Sequence, residues 1–220
     1  MSFVDPNQFI ITRKRKKYKF ALFHNSPLCF EFDEWTGREV DCLEIGAGTG
    51  LFSVELALCH PEKTFLAIDV KGDRLQKGAK IAEEKGLENV FFVRARADQI
   101  DQLVEQNSLE QIWVTFPDPF PRKHSTGRRL THPNFLKKYS SLLKSDGSLL
   151  IKHDDHNFFY WSLEQLVAEK WQIKELSFDL HESALSDEYK IMTTYEQRWI
   201  GEGKTINFCL LYTSPSPRDS

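Results

Sequence analysis

Three glycines at positions 46, 48 and 50 separate a short apolar run from a segment with helical periodicity. Residues 41–45, Asp-Cys-Leu-Glu-Ile, predict a buried strand, and apolar residues recur at helical spacing over 51–59. Glycine permits a tight turn and lets the backbone approach a ligand closely. The order strand, glycine turn, helix is typical of the nucleotide-binding end of a doubly wound α/β fold.

Two carboxylates near this turn indicate which cofactor it would accept. A second apolar run, residues 64–68, ends in Asp69, 23 positions after Gly46, where doubly wound folds offer a carboxylate to ribose hydroxyls. The turn has the spacing G-x-G-x-G rather than the dinucleotide fingerprint G-x-G-x-x-G, and Glu44 stands just before it. Such a carboxylate would repel a pyrophosphate but favour an ammonium or sulfonium group. These residues therefore predict S-adenosyl-L-methionine in preference to NAD.

Predicted strands and helices alternate along the rest of the chain. This pattern indicates an α/β fold with a doubly wound, Rossmann-like, mainly parallel sheet and helices on both faces. Predicted helices cover residues 71–85, 133–143 and 158–169, and predicted strands cover 90–93, 112–116, 149–151, 173–178 and about 205–208. Four carboxylates stand at or just beyond predicted strand ends: Glu44, Asp69, Asp98 and Asp118. Ligands bind such sheets at the carboxyl ends of the strands, so we expect these carboxylates to serve one site.

A proline-rich loop at positions 116–123 has the sequence Phe-Pro-Asp-Pro-Phe-Pro-Arg-Lys, and Arg-Arg-Leu follows at 128–130. Proline fixes φ and removes a backbone donor, so the loop is expected to hold Asp118 exposed between two aromatic rings. Aromatic rings can sandwich a flat base while a polar group binds its edge. The neighbouring cations suit phosphates. The loop therefore predicts contact with a nucleic-acid base.

Cationic residues are segregated although the net charge is −3. Residues 13–19 read Arg-Lys-Arg-Lys-Lys-Tyr-Lys, and a second group spans positions 122–129. We expect a basic N-terminal arm at 1–30, a catalytic domain at 31–208 and a tail at 209–220. The tail ends in Ser-Pro-Ser-Pro-Arg-Asp-Ser. It resembles residues introduced when a sequence is assembled rather than part of the natural protein, so we expect it to be non-native or disordered.

The spacing of the cysteines and the hydropathy of the chain indicate its cellular compartment. The four cysteines show no C-x-x-C spacing, and no apolar run has the length of a membrane span or follows the basic N-terminus as a signal-peptide core. These features predict a cytoplasmic protein with reduced thiols and no membrane association. His-Asp-Asp-His at 153–156 is typical of a strand-end loop, so no metal is predicted. The sequence leaves monomer and homodimer open.

The motifs together resemble the bacterial tRNA (guanine-N7-)-methyltransferases, a family of class I S-adenosylmethionine-dependent methyltransferases. The resemblance rests on Glu-Ile-Gly-x-Gly at 44–48, the proline loop with Arg-Arg-Leu, Lys-His-Asp at 152–154 and Thr-Thr-Tyr-Glu-Gln-Arg at 193–198. It covers about residues 40–208. The chain departs from the family pattern at four positions. Thr49 stands where the family usually has Lys, and Asp69 stands where it has Glu. Phe120 replaces a common Trp, and His153 replaces a usual Thr.

The resemblance implies methyl transfer from S-adenosyl-L-methionine to N7 of a guanine in tRNA, at position 46 of the variable loop. It implies Asp118 as the active-site carboxylate, which either stabilises the positive charge that develops on the methylated base or binds the amide edge of the guanine. The cofactor-binding positions that it implies, together with the strand-end layout, are Glu44, Gly46, Gly48, Asp69, Asp98 and Asp118. The substrate-binding positions are Arg122, Lys123, Asp154, Thr193, Thr194, Tyr195 and Glu196.

Three other classes of function stay open. Asp-Pro-Phe at 118–120 is similar to the motif of methyltransferases that act on an exocyclic amine of a nucleic acid or protein. A nicotinamide-dependent oxidoreductase would use a related glycine turn. A non-catalytic RNA-binding protein could keep the same cofactor pocket and cations.

Overall fold

A computed structural model describes residues 3–213, apart from the side chain of Thr194. The chain divides into two compact units, with the boundary after Leu103. The predicted α/β class is confirmed, since strands and helices alternate and the sheet pairings are mainly parallel. In the described residues no helix is both long and apolar enough to cross a membrane.

The first unit contains four parallel strands in the order β1, β4, β3, β2. Strand β2 is buried along its whole length, as expected for a parallel strand covered on both faces. The described residues of this unit also form three α-helices. The strands are β1 (Cys29–Glu31), β2 (Cys42–Ile45), β3 (Phe65–Asp69) and β4 (Val90–Arg94), and the helices are α1 (Lys14–Asn25), α2 (Leu51–Cys59) and α3 (Gly72–Glu84).

The basic segment near the N-terminus forms helix α1 within this unit. Phe20, Ala21 and Phe23 are buried on one face of α1, and the helix packs against α3. The prediction of an arm over residues 1–30 is therefore wrong for residues 14–25, whose first turns carry mostly cations and give no apolar signal. The apolar side chains that anchor the helix all lie in its second half, beyond the charged run.

The second unit contains strands in the order β5, β6, β8, β7. Strand β6 runs parallel to β5, whereas β8 runs antiparallel to both β6 and β7. The strands are β5 (Leu109–Thr115), β6 (Leu143–His153), β7 (Gln172–Ser177) and β8 (Asn207–Tyr212), and the helices are α4 (Pro133–Leu142), α5 (His156–Ala168) and α6 (Thr194–Gly201).

The last strand continues beyond the position where the sequence suggested a tail. Strand β8 was expected near residues 205–208, but residues 207–212 form it, and Cys209 and Leu211 are fully buried. The continuous apolar run from Phe208 to Leu211 is buried throughout, as expected for a strand that is covered on both faces. Residues 214–220 of the predicted tail lie outside the described residues.

Candidate active site

The glycine turn after β2 wraps over the end of β3. Gly46, Gly48 and Gly50 have φ values of 75°, 59° and 70°, in the left-handed region that glycine adopts without steric cost. The backbone N–H groups of Gly46 and Ala47 both donate to the carbonyl of Ile68, each at 2.9 Å. The turn is therefore fixed at the carboxyl end of two neighbouring parallel strands.

Asp69 connects this turn to the start of α3. Its Oδ2 accepts the backbone N–H of Gly48 at 2.9 Å, and its Oδ1 accepts the N–H of Lys71 at 2.8 Å. Each carboxylate oxygen has a second lone pair, so a ribose hydroxyl can still be bound. Asp69 therefore orders the turn as well as standing at the predicted ribose position.

Glycine at position 78 lets α3 pack closely against the turn, a role that sequence analysis missed. The N–H of Gly78 donates to the carbonyl of Thr49 at 2.9 Å. A Cβ added at Gly78 would lie 2.6 Å from that carbonyl oxygen and 2.8 Å from the Phe92 ring, too close for any other residue. A glycine in the interior of a predicted helix was the available signal.

Glu44 is a buried carboxylate beside the turn. It is only 3% exposed, and Ser53 on α2 donates its hydroxyl to Glu44 Oε2 at 2.6 Å. A buried carboxylate is stable only with hydrogen-bond or charge partners. The serine was not identified from the sequence, although it lies on the first turn of a helix that begins at the glycines.

Asp98 lies after β4, in a short 3₁₀ segment at Ala97–Gln102. The Arg96 guanidinium binds it with two hydrogen bonds, Nη2 to Oδ2 at 2.6 Å and Nε to Oδ1 at 2.9 Å. The hydrogen bond and the charge of Asp98 raise the pKa of Arg96. Glu44 is the penultimate residue of β2, Asp69 is the last residue of β3 and Asp98 follows β4. Since these strands are parallel neighbours, all three carboxylates stand at the carboxyl end of the first unit's sheet.

The proline loop after β5 has left-handed backbone at both aromatic residues. Phe116 has φ of 49° and Phe120 has φ of 39°. This region costs a residue with a Cβ about 1–2 kcal/mol. Between them Pro117 is buried and Asp118 is exposed. Among the described residues no hydrogen bond reaches the Asp118 carboxylate, and the exposure that the proline spacing predicts is observed.

Side chains outside the loop hold it through its carbonyl groups. His153 Nε2 lies 2.9 Å from the carbonyl oxygen of Pro117. Arg129 donates from Nε to the Pro119 carbonyl at 2.8 Å and from Nη2 to the Phe120 carbonyl at 3.1 Å. Neither contact was foreseen from the sequence.

His153 is held in its neutral form. Its Nδ1 accepts the backbone N–H of Asp155 at 2.8 Å, so the proton must be on Nε2, which donates to Pro117. Burial lowers the pKa of His153 despite the raising effect of the Pro117 carbonyl and the nearby carboxylates. Asp154 Oδ1 lies 3.7 Å from His153 Nδ1. An ion pair between them would require a proton on Nδ1, but Nδ1 already accepts the N–H of Asp155.

Two of the predicted substrate-binding residues are buried in a network of hydrogen bonds at the N-terminus of α6. Thr193 and Glu196 form a capping box: each side chain binds the other's backbone N–H, both at 3.0 Å. Glu196 is fully buried, and Lys152 Nζ lies 3.3 Å from both of its carboxylate oxygens and donates to the Ile191 carbonyl at 2.7 Å. His181 Nε2 also binds Glu196, at 2.8 Å.

Arg122, Lys123, Asp154 and Tyr195, which are also predicted to bind the substrate, are exposed or partly exposed. Asp154 binds Lys204 Nζ at 2.9 Å, and that ammonium lies 3.5 Å from the centroid of the Trp199 ring. Exposed side chains are found at Arg122, Lys123 and Tyr195, while Thr194 begins α6. In the part of the chain that the structure describes, no group of three or more His, Cys, Asp or Glu side chains could hold a metal ion.

Solved structures of methyltransferases share this fold. The 16S rRNA methyltransferase KamB aligns with a TM-score of 0.61 and 18% identity, covering 80% of this chain and 90% of that chain. A variant 16S rRNA (adenine(1408)-N(1))-methyltransferase with cosubstrate SAM from Catenulisporales acidiphilia aligns with a TM-score of 0.57 and 15% identity, covering 100% of this chain and 95% of that chain. At these identities the likeness establishes the fold.

Sequence comparisons establish the family. The family model described as "Putative methyltransferase" matches residues 38–209. A tRNA (guanine-N(7)-)-methyltransferase of Brevibacillus brevis is 36% identical over 164 residues, covering 74% of this chain and 76% of the relative. The enzyme of the same name from Christiangramia forsetii is 38% identical over 168 residues, covering 76% of this chain and 75% of the relative. The resemblance seen in the motifs is thus confirmed, and the chain belongs to the bacterial tRNA (guanine-N(7)-)-methyltransferase family.

Proposed function

We propose that this protein transfers a methyl group from S-adenosyl-L-methionine to N7 of a guanine in tRNA, with guanine 46 of the variable loop as the target. The observation that carries the proposal is the exposed Asp118 carboxylate on a clamped loop, in a chain of this family. A cytoplasmic location is consistent with this substrate.

The residues of the first unit fit a cationic donor. The left-handed glycine turn lets the backbone approach a ligand closely, and three carboxylates stand at or just beyond the carboxyl ends of neighbouring strands. Carboxylates favour an ammonium or sulfonium ligand and repel a pyrophosphate. When bound, the donor supplies a methyl group on a sulfonium centre. Glu44, Asp69 and Asp98, with the backbone at Gly46 and Gly48, would hold it.

Catalysis then needs positioning and electrostatics rather than a general base. Guanine N7 already has an in-plane lone pair, so no proton must be removed before it attacks the methyl group. The methylated ring becomes positive. A preorganised carboxylate stabilises a charge that develops beside it, and Asp118 supplies that carboxylate.

The exposed cations of the second unit are suited to the tRNA backbone. Arg122, Lys123 and Arg128 are all exposed on the segment that follows Asp118. Arginine and lysine bind phosphates without reading the sequence. N7 faces the deep major groove of A-form RNA, so the target base must lie in a loop or leave its stack.

The segment at 193–196 divides into two roles in this proposal. Tyr195 is exposed, so this side chain can contact the tRNA, and the family resemblance assigns Thr194 to the same function. The side chains of Thr193 and Glu196 are buried in the capping box and in the contact with Lys152. They would support the substrate-binding surface rather than form it, and Asp154 would contribute from the adjacent loop.

Nucleoside mass spectrometry tests the function. Unmodified tRNA transcript incubated with the protein and methyl donor is expected to yield 7-methylguanosine, and a matched transcript with adenine at position 46 is expected to yield none. Methylation of the guanine 2-amino group would contradict the proposal in favour of an exocyclic-amine methyltransferase. Donor and tRNA binding without methyl transfer would support a non-catalytic RNA-binding protein.

A further inference from the structure

The loop that carries Asp118 cannot fix its own conformation. Pro117 and Pro119, on either side of Asp118, have no backbone N–H, so they cannot join a backbone ladder as donors. The aromatic residues beyond them both have φ values in the left-handed region, at 49° and 39°. A backbone in such a conformation persists only where surrounding groups hold it.

Arg129 makes the contact that holds the loop on the C-terminal side of Asp118. Its Nε and Nη2 donate to two consecutive carbonyls, those of Pro119 at 2.8 Å and Phe120 at 3.1 Å. The planar guanidinium fork suits two adjacent acceptors, whereas a lysine ammonium cannot reproduce this geometry. The carbonyl of Pro117 is held from the other side by His153.

Both holding side chains rest on the first turns of α5. The guanidinium carbon of Arg129 lies 4.2 Å from the centroid of the Trp161 ring and 5.9 Å from that of Phe158. The His153 ring centroid lies 4.4 Å from the Phe158 centroid. Asp118 therefore stands on a loop whose carbonyls are connected, through two side chains, to one helix.

The adjacent arginine has different surroundings. Arg128 is exposed and stacks on the Phe120 ring at 4.4 Å from its centroid, where it can still reach a phosphate. Arg129 is half-buried, and two of its donors are bound to loop carbonyls. Arg128 is therefore a surface cation, whereas the guanidinium of Arg129 is used within the protein to bind the loop.

We infer that Arg129 is a positioning residue that acts through Asp118, holding its carboxylate where the methylated base requires it. This inference rests on the proposed function. Since a displacement of about 1 Å can lower a rate about 100-fold, we expect Arg129→Lys to reduce single-turnover methyl transfer at saturating tRNA and donor by about 10- to 100-fold. Donor affinity should stay unchanged.

A double-mutant cycle with Asp118→Asn distinguishes positioning from general support of the fold. If Arg129 acts through the carboxylate, Arg129→Lys should cost less than about threefold once that carboxylate is absent. An equal loss in both backgrounds would overturn the inference. Trp161→Leu, which removes the ring under the guanidinium, is a second variant and should show the same dependence on Asp118.

Arg38→Ala is the matched control. Arg38 also stacks on aromatic rings, 4.5 Å from the Phe91 centroid and 4.9 Å from the Phe30 centroid, but it belongs to the first unit. Its removal should change thermal stability without changing the single-turnover rate. A loss of rate in this control equal to that of Arg129→Lys would also overturn the inference.

Failure of the inference and failure of the proposed function give different results. A wild-type protein that forms no 7-methylguanosine contradicts the function. A wild-type protein that forms it, with Asp118→Asn impaired and Arg129→Lys fully active, contradicts only the positioning role. Arg128→Ala, in contrast, should weaken tRNA binding and reduce its salt dependence.

Discussion

Asp69 and Asp118 are carboxylates with opposite surroundings. Both oxygens of Asp69 accept backbone N–H groups, whereas the Asp118 carboxylate accepts no hydrogen bond from any described residue. Asp69 therefore orders its own turn and keeps lone pairs for a ribose hydroxyl, whereas the whole Asp118 carboxylate is available to a ligand. Substitution of Asp69 should affect donor binding, and substitution of Asp118 should affect methyl transfer.

Asp69→Ala should weaken binding of the methyl donor by about 1.5–3 kcal/mol, the range for a hydrogen bond to a charged group. Loosening of the glycine turn at Gly48 adds to the loss. Asp41→Ala is a matched control, because Asp41 Oδ2 accepts the N–H of Thr64 at 2.8 Å just before β2, away from the turn. Calorimetry should show weaker donor binding for the first variant only, and equal affinities would exclude Asp69 from the site.

Asp118→Asn should keep the fold and the donor affinity but lower methyl transfer by about 10² or more, as for removal of one preorganised electrostatic group. Asparagine preserves the shape of the side chain and removes its charge, so the variant tests charge rather than packing. The measurement is single-turnover transfer at saturating tRNA and donor. A rate close to wild type would shift the catalytic assignment to Asp154.

His153 should make folding stability depend on pH. Burial lowers its pKa below the ordinary value of 6.5, so the unfolded chain binds this proton at a higher pH than the folded protein does. The contribution of neutral His153 is therefore complete above that value and is lost as the pH falls below it, with a slope of at most about 1.4 kcal/mol per pH unit.

Urea unfolding between pH 8 and 5 measures this loss, and the informative quantity is the difference between wild type and His153→Gln. Asp154, Asp155 and Lys204 also influence the ring, and they remain in the variant. Glutamine does not titrate, so the variant should lose less stability on acidification. Parallel curves for the two proteins would show that the ring is not held neutral.

At the scale of elements, helix α1 combines an apolar anchor with an unfavourable charge distribution. Its first turn contains no acidic residue and its N-cap Arg13 makes no side-chain cap. Cations at a helix N-terminus oppose the helix dipole. A helix that keeps them there at a cost in stability is expected to use them for an anion.

Neutralising Arg13, Lys14, Arg15, Lys16 and Lys17 should weaken tRNA binding without lowering the melting temperature. Each lost phosphate contact should reduce the log–log salt slope by about 0.7–0.9. Neutralising exposed lysines of the α3 region, Lys77, Lys80 and Lys85, is the control and should change the slope little. An unchanged slope in the α1 variant would mean that these cations do not contact the tRNA.

Elements with strong local signals were predicted well. Helix α2 has the predicted bounds, because glycines precede it and apolar residues repeat along it. Strand β6 is longer than the predicted 149–151, since a register shift between Leu109 and Gln111 of β5 accommodates the Asp-Gly pair within the strand. Helix α6 was missed, although Thr193 and Glu196 have the spacing of a capping box, because the segment was interpreted only as a binding motif.

The candidate site was predictable where residues mark strand ends and not where distant side chains meet. The three carboxylates of the first unit follow from strand-end positions. The hydrogen bond from His153 to Pro117 joins positions 36 apart, and its acceptor is a carbonyl that every residue possesses. No residue pattern can show such a contact, and the same reason hides the contact of Arg129 with Pro119.

At the scale of the whole molecule, charge must be considered by region. The net charge of −3 would repel tRNA at a distance, so attraction depends on local cationic surfaces. One such surface is the exposed start of α1, and the other is the segment after Asp118 with Arg122, Lys123 and Arg128. Binding that relies on local cations within a net negative chain is sensitive to ionic strength.

The position of β8 has a consequence for biosynthesis. Strand β8 lies between β6 and β7 although it follows both in the chain, and β7 pairs with β8. While the chain is being made, β7 therefore lacks the strand with which it pairs, and the backbone groups along one edge of β6 stay unpaired until Asn207–Tyr212 has left the ribosome. The first unit can close earlier, whereas the second passes through a stage with an open strand edge. It is during that stage that a nascent chain would benefit most from a chaperone.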